Sequence, residues 1–105
     1  MYTFIELQGF SKRRQALLPD DEFRFFQEML IEDPEAGDTI AGTGGFRKIR
    51  WSRPGMGKRG GVRIIYYNVT RKGRIYLVLV YPKNELDDLT EEQKKMLKQL
   101  SAMLE

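Results

Sequence analysis

Three runs rich in β-branched and aromatic residues follow one another in the chain: FRKIRWS (46–52), VRIIYYNV (62–69) and RIYLVLVY (74–81), with glycine in the breaks between them. Strand-forming runs this close together have few ways to pair. The second and third are joined by TRKG alone, and Gly73 is available for positive φ, so the link reads as a hairpin turn. The spacing predicts an antiparallel meander.

The flanks supply the cover. YTFIEL (2–7) is short and β-rich and reads as a strand. From Lys12 to Leu18 the chain is basic and helix-compatible, Pro19 interrupts it, and DDEFRFFQEMLIED follows with acids in its first turn and Phe23, Phe26 and Leu30 at helical spacing. That stripe is a packing face rather than a base-stacking platform. GDTIAGTGG is a glycine-rich turn region. In the tail, LTEEQKKMLKQLSAMLE, Thr90 and Gln93 form a capping-box pattern, and Leu97, Leu100 and Leu104 share one helical face. Residues 1–105 therefore read as one α+β domain. It is a small antiparallel sheet, with N-terminal helices and a C-terminal helix packed on one of its faces.

Charge is unevenly spread along this frame. The net charge is +3, but Thr39 to Asn84 holds eleven Lys/Arg and no acid, whereas the remainder holds seven Lys/Arg and all fifteen acids. A polarised block of that kind is the footprint of a polyanionic partner, because each neutralised phosphate releases counterions. The alternative is a solvated face whose partners lie on the acidic helices. With no cysteine and no histidine, disulfides, thiolate nucleophiles, serine triads that need histidine, histidine-ligated zinc and paired-histidine nuclease chemistry are excluded. No segment approaches the roughly 20 apolar residues of a membrane span, and a cytoplasmic protein without membrane attachment is expected.

In a strand alternate side chains leave by opposite faces, so Lys48 and Arg50 emerge together while Ile49 and Trp51 anchor the core. Arg63 opens the next run in alternation with Ile65 and Tyr67. The connecting loop SRPGMGKRGG joins four glycines to Arg53, Lys58 and Arg59. It matches neither GxxxxGK[ST] nor a helix-opening GxGxxG, which leaves a hairpin loop with solubilising charges or a basic arm following a phosphate backbone. The acid cluster Asp20/Asp21/Glu22 begins a helix and Glu85/Asp87/Asp88 leads into one, so capping and dipole compensation account for both better than a metal does. Chemistry here would run on lysine and arginine. RNA brings its own nucleophile, the 2′-hydroxyl, so clustered cations that orient the phosphate and neutralise developing charge suffice.

The stretches GTGGFRKIRWSRPGMGKRGGVRIIYY and RIYLVLVYPKNELDDLTEEQKKML resemble the RelE/HigB family of bacterial toxins, and especially its HigB-like branch, over about residues 37 to 98. The resemblance implies a ribosome-dependent endoribonuclease that cuts mRNA in the A site by 2′-hydroxyl attack, without a metal or other cofactor. A cognate antitoxin of the HigA or RelB kind is implied as partner. It implies Lys48 and Arg50 as phosphate contacts and candidate base, and Arg63 as stabiliser of the scissile phosphate. A further family arginine after the last strand is replaced by Asn84 beside Lys83, and a late tyrosine by Thr90. Lys83 and Tyr81 are the residues expected to compensate, with Arg47, Arg53, Lys58, Arg59, Tyr81 and Asn84 as RNA contacts. Those replacements also motivate the alternative, a non-catalytic nucleic-acid or ribosome binder, or a gyrase-poisoning relative of the same fold.

Overall fold

A computed structural model describes residues 2–52, 61–85 and 88–105. The elements are β1 (Thr3–Glu6), α1 (Gln8–Leu17), α2 (Asp20–Glu32), β2 (Asp38–Thr39), β3 (Arg47–Trp51), β4 (Val62–Val69), β5 (Arg74–Pro82) and α3 (Glu91–Leu104). They form a sheet of order β1-β5-β4-β3-β2. The expected meander is present, with β3 antiparallel to β4 and β4 to β5. Between β4 and β5 the chain makes a 3-10 turn over Thr70–Lys72, and Gly73 takes up φ 65, ψ 34 while its N–H returns to the Thr70 carbonyl. A left-handed position of this kind strains any residue with a Cβ. The small antiparallel sheet gains one parallel member, because β1 runs alongside β5 from Thr3↔Arg74 to Glu6↔Leu77.

The helices do not share one face, as the sequence pattern led us to expect. Phe10 of α1, Leu18, and Phe23, Phe26 and Leu30 of α2 pack against Val62, Ile64 and Tyr66 of β4 and Ile75, Leu77 and Val80 of β5. On the opposite side Ile65, Tyr67 and Val69, with Tyr76, Val78 and Tyr81, pack with Phe46, Leu89 and Leu97, and with the half-buried Leu100 and Leu104 of α3. The reason lies in β4 and β5 themselves. Both carry apolar residues at odd and even positions, so covering a single face would leave a full row of apolar side chains in water. A bulge adjusts the register: Ile65 pairs with Leu79 but Tyr66 pairs with Leu77, leaving Val78 without an opposite number.

Local chemistry fixes the helix ends. Asp20, Asp21 and Glu22 occupy the first turn of α2, where carboxylates suit the positive end of the helix dipole. Arg14 ties α1 to α2, donating to the Leu18 carbonyl at 3.3 Å and the Asp20 carboxylate at 2.6 Å. Thr90 opens α3 through the anticipated capping box: its hydroxyl accepts the Gln93 N–H, and the Gln93 side chain accepts the Thr90 N–H. The far end of α3 is held by Glu105, whose carboxylate accepts from the Tyr67 hydroxyl and from Arg71.

The GTGG segment seats α3 on the sheet. Thr43 is fully buried, and its hydroxyl donates to the Ile40 carbonyl and accepts the Phe46 N–H, which closes the turn into β3. Gly44, at φ 78, lies so close to α3 that a Cβ there would fall 2.2 Å from Ser101 Oγ. The glycine permits that approach.

Candidate functional site

The pairing register assembles a cationic row across three strands. Arg50 of β3 stands opposite Arg63 of β4, which stands opposite Tyr81 of β5. One row further along, Lys48 stands opposite Ile65 and Ile65 opposite Leu79. Directly opposed residues share a face, so Lys48, Arg50 and Arg63 lie together on the α3 side of the sheet, at the end where β5 gives way to the link into α3. Ile49 and Trp51 go to the other side and pack against the α1–α2 core, with the Trp51 ring edge-on to Phe26 at 5.5 Å.

This arrangement is electrostatically costly. Like charges directly opposed across an antiparallel pair destabilise it. Neither Arg50 nor Arg63 forms an ion pair among the described residues. Arg50 is exposed; Arg63 is half-buried, and its Nη1 is buried with no hydrogen-bond acceptor among the described residues. Leaving a buried donor unmade costs about 1–3 kcal/mol. An anionic oxygen is the group that would satisfy it.

Tyr81 is 4 % exposed, and burial raises its phenol pKa; the charge of Arg63 opposes that shift and the charge of Asp88 adds to it. Lys48 meets Asp88 at 3.7 Å, a pair whose carboxylate side chain is 85 % exposed. Lys83 and Asn84 are exposed in the turn directly after β5. That turn is anchored by the next residue, since Arg13 of α1 donates twice to the Glu85 carboxylate at 2.6 Å and holds its pKa below the ordinary value.

Of the residues named from the sequence, Lys48, Arg50, Arg63 and Tyr81 are thus brought together, and Lys83 and Asn84 lie at the same end of the sheet. Arg47 is not part of this group. It stands opposite Tyr66 on the α1–α2 side, where its guanidinium donates to the carbonyls of Gly37 at 2.7 Å and Glu35 at 3.2 Å. There it works with the Tyr66 hydroxyl, which accepts the Gly37 N–H and donates to the Pro34 carbonyl, to pin the link between α2 and β2. Arg53, Lys58, Arg59 and Asp87 lie outside the described residues.

One further assignment changes. Glu85 and Asp88, read from the sequence as acids leading into a helix and compensating its dipole, precede the first turn of α3, which carries Glu91 and Glu92 instead; they meet Arg13 and Lys48. Thr90 is the helix cap, as its pattern implied. Asp88 was missed as a member of the site because its contact with Lys48 joins elements far apart in sequence.

The fold is a known one. A five-stranded mixed sheet with helices on both sides is the fold of the isolated E. coli RelE toxin, whose crystal structure is matched at a TM-score of 0.55 and 16 % identity, over 95 % of this chain and 99 % of that one. A chain of the archaeal RelE–RelB complex from Pyrococcus horikoshii OT3 matches at a TM-score of 0.46 and 19 % identity, over 81 % of this chain and 98 % of that one. The family described as the RelE toxin of the RelE/RelB toxin–antitoxin system matches residues 30–105, and the chain belongs to that family.

Proposed function

We propose that this chain is the toxin of a bacterial toxin–antitoxin pair and acts in the cytoplasm as a ribosome-dependent mRNA endoribonuclease. The observation that carries the reading is the convergence of Lys48, Arg50 and Arg63 on one face, with a guanidinium nitrogen of Arg63 buried and unpartnered among the described residues. Such a site is built for a phosphodiester. Lys48 and Arg50 hold its non-bridging oxygens, and Arg63 neutralises the charge that grows as the 2′-hydroxyl attacks. Tyr81 supports Arg63 from β5. Lys83 and Asn84, with Arg53, Lys58 and Arg59, extend the contact along the RNA backbone, and Lys83 stands in for the arginine of the family pattern. The work falls to cations rather than to a metal. Arg47 is left out of this surface because its guanidinium is committed elsewhere.

Programmed ribosomes test the reading. The protein is added, 5′ ends of the message are mapped, and new ends at the A-site codon are expected, with none from the Arg63→Met variant. Intact messages in the presence of folded protein would refute it, and inhibited DNA supercoiling under the same conditions would identify a gyrase-directed relative instead. We also propose an antitoxin of the RelB kind that covers the basic face with acidic or apolar segments. Its affinity is then expected to fall steeply with salt; a flat response would remove the electrostatic part.

A further inference from the structure

We propose that Asp88 is the proton acceptor of the site, taking the proton of the attacking 2′-hydroxyl while its neighbour Lys48 gives a proton to the departing 5′-oxygen. This rests on the reading of the chain as an RNA-cleaving enzyme.

The argument is one of supply. Arg50, Arg63 and the Lys48 ammonium are donors only, and a group that already carries its proton cannot accept another. Tyr81 is held protonated, since burial raises its phenol pKa. Three described carboxylates lie nearby. Glu85 is occupied by two hydrogen bonds from Arg13. Asp38 stands opposite Lys48 in the β2–β3 pairing, but β2 lies on the far side of β3 from Arg63 and Tyr81, and no ion pair joins Asp38 to Lys48 among the described residues. That leaves Asp88, 3.7 Å from Lys48 and close enough to Tyr81 to act on its pKa.

Among the described residues Asp88 has no evident structural task. It lies outside the first turn of α3, where Glu91 and Glu92 already meet the helix dipole. Its pair with Lys48 is exposed and contributes little to stability. Among the described residues, the charged and titratable groups that face it are Lys48 from β3 and Tyr81 from β5, and Arg63 of β4 stands directly opposite the tyrosine; on its own side Glu91 is engaged with Lys94 at 3.8 Å.

The step balances. The 2′-oxygen forms a bond to phosphorus and its proton passes to the Asp88 carboxylate. The bond from phosphorus to the 5′-oxygen breaks, and that oxygen leaves with a proton from Lys48. A 2′,3′-cyclic phosphate and a 5′-hydroxyl result. Asp88 then holds a proton beside a neutral Lys48, and transfer between the two restores the starting state.

The test is single-turnover cleavage on programmed ribosomes by the wild type, Asp88→Asn, Asp38→Asn and Lys48→Ala. Two messages are used, one ordinary and one with sulfur replacing the 5′-oxygen at the mapped cut site. A thiolate leaves without an acid. Asp88→Asn is expected to slow cleavage by on the order of 10²-fold or more on both messages. Lys48→Ala slows the ordinary message and is relieved in part by sulfur, which removes the need for an acid but not for a cation on the phosphate, and Asp38→Asn matches the wild type. Cleavage by Asp88→Asn at or above the wild-type rate overturns the assignment, as does relief of Asp88→Asn by sulfur to the same extent as Lys48→Ala. A wild type that cuts neither message overturns the parent reading along with it.

Discussion

Replacing Arg63 by methionine is expected to stabilise the protein while abolishing RNA cleavage. Methionine keeps the length and apolar stem of the side chain, so the packing of β4 between β3 and β5 is retained. What disappears is a buried Nη1 that has no acceptor among the described residues, and a positive charge directly opposite Arg50. The first is worth about 1–3 kcal/mol and the second about 0.2–1 kcal/mol. Arg63 is only half-buried, so water reaches part of the guanidinium and the lower end of each range applies. A net gain of about 1 kcal/mol follows, which raises Tm by roughly 4–8 °C in a domain of this size. Thermal and urea unfolding of the two proteins at low salt measures it. Sulfate or a short RNA supplies the companion reading, because an anion that binds the native site stabilises the wild type by mass action and has little effect on the variant. A variant that unfolds earlier than the wild type, or an anion that protects both equally, would show that Arg63 is satisfied within the fold and is not held in wait for a phosphate.

Gly44→Ala is expected to loosen α3. A Cβ at φ 78 and 2.2 Å from Ser101 Oγ combines backbone strain with a clash, and together these should cost about 2 kcal/mol or more in urea unfolding. Stability unchanged from the wild type would show that α3 does not depend on that close approach. The Tyr67–Glu105 contact predicts a pH dependence at the alkaline end. Burial first, then the Glu105 carboxylate, pushes the Tyr67 phenol from 10.0 up to about 12, so the folded state favours the protonated form. The contribution is fully present below pH 10 and is lost as pH rises toward about 12. Tyr67→Phe should therefore flatten the fall of Tm over that interval, and an equally steep fall in the variant would remove the contact as its cause.

What could be read from the sequence and what could not divide along the range of the interactions. Gly73 in its turn, the Thr90–Gln93 cap and the Phe23, Phe26, Leu30 stripe are settled within a few residues, and each stands in the structure as the pattern implied. The same holds for Lys48 and Arg50, whose shared face follows from a period of two. Arg47 is the counterexample: it was expected among the RNA contacts, yet it stands on the face of Ile49 and Trp51 and spends its guanidinium on the Gly37 and Glu35 carbonyls. The parallel pairing of β1 with β5, the bulge at Val78 and the contact of Asp88 with Lys48 depend on segments distant in sequence meeting in space, and no local pattern encodes them. The second helical layer was the intermediate case. The unbroken apolar runs of β4 and β5 demanded cover on both faces, and once α1 and α2 had taken one, the leucine stripe of α3 could only serve the other. Placing α3 there has a consequence for the site. It brings the lead-in to α3, with Asp88, onto the face that carries Lys48, Arg50 and Arg63, so the layer that completes the core also delivers a carboxylate to the cations.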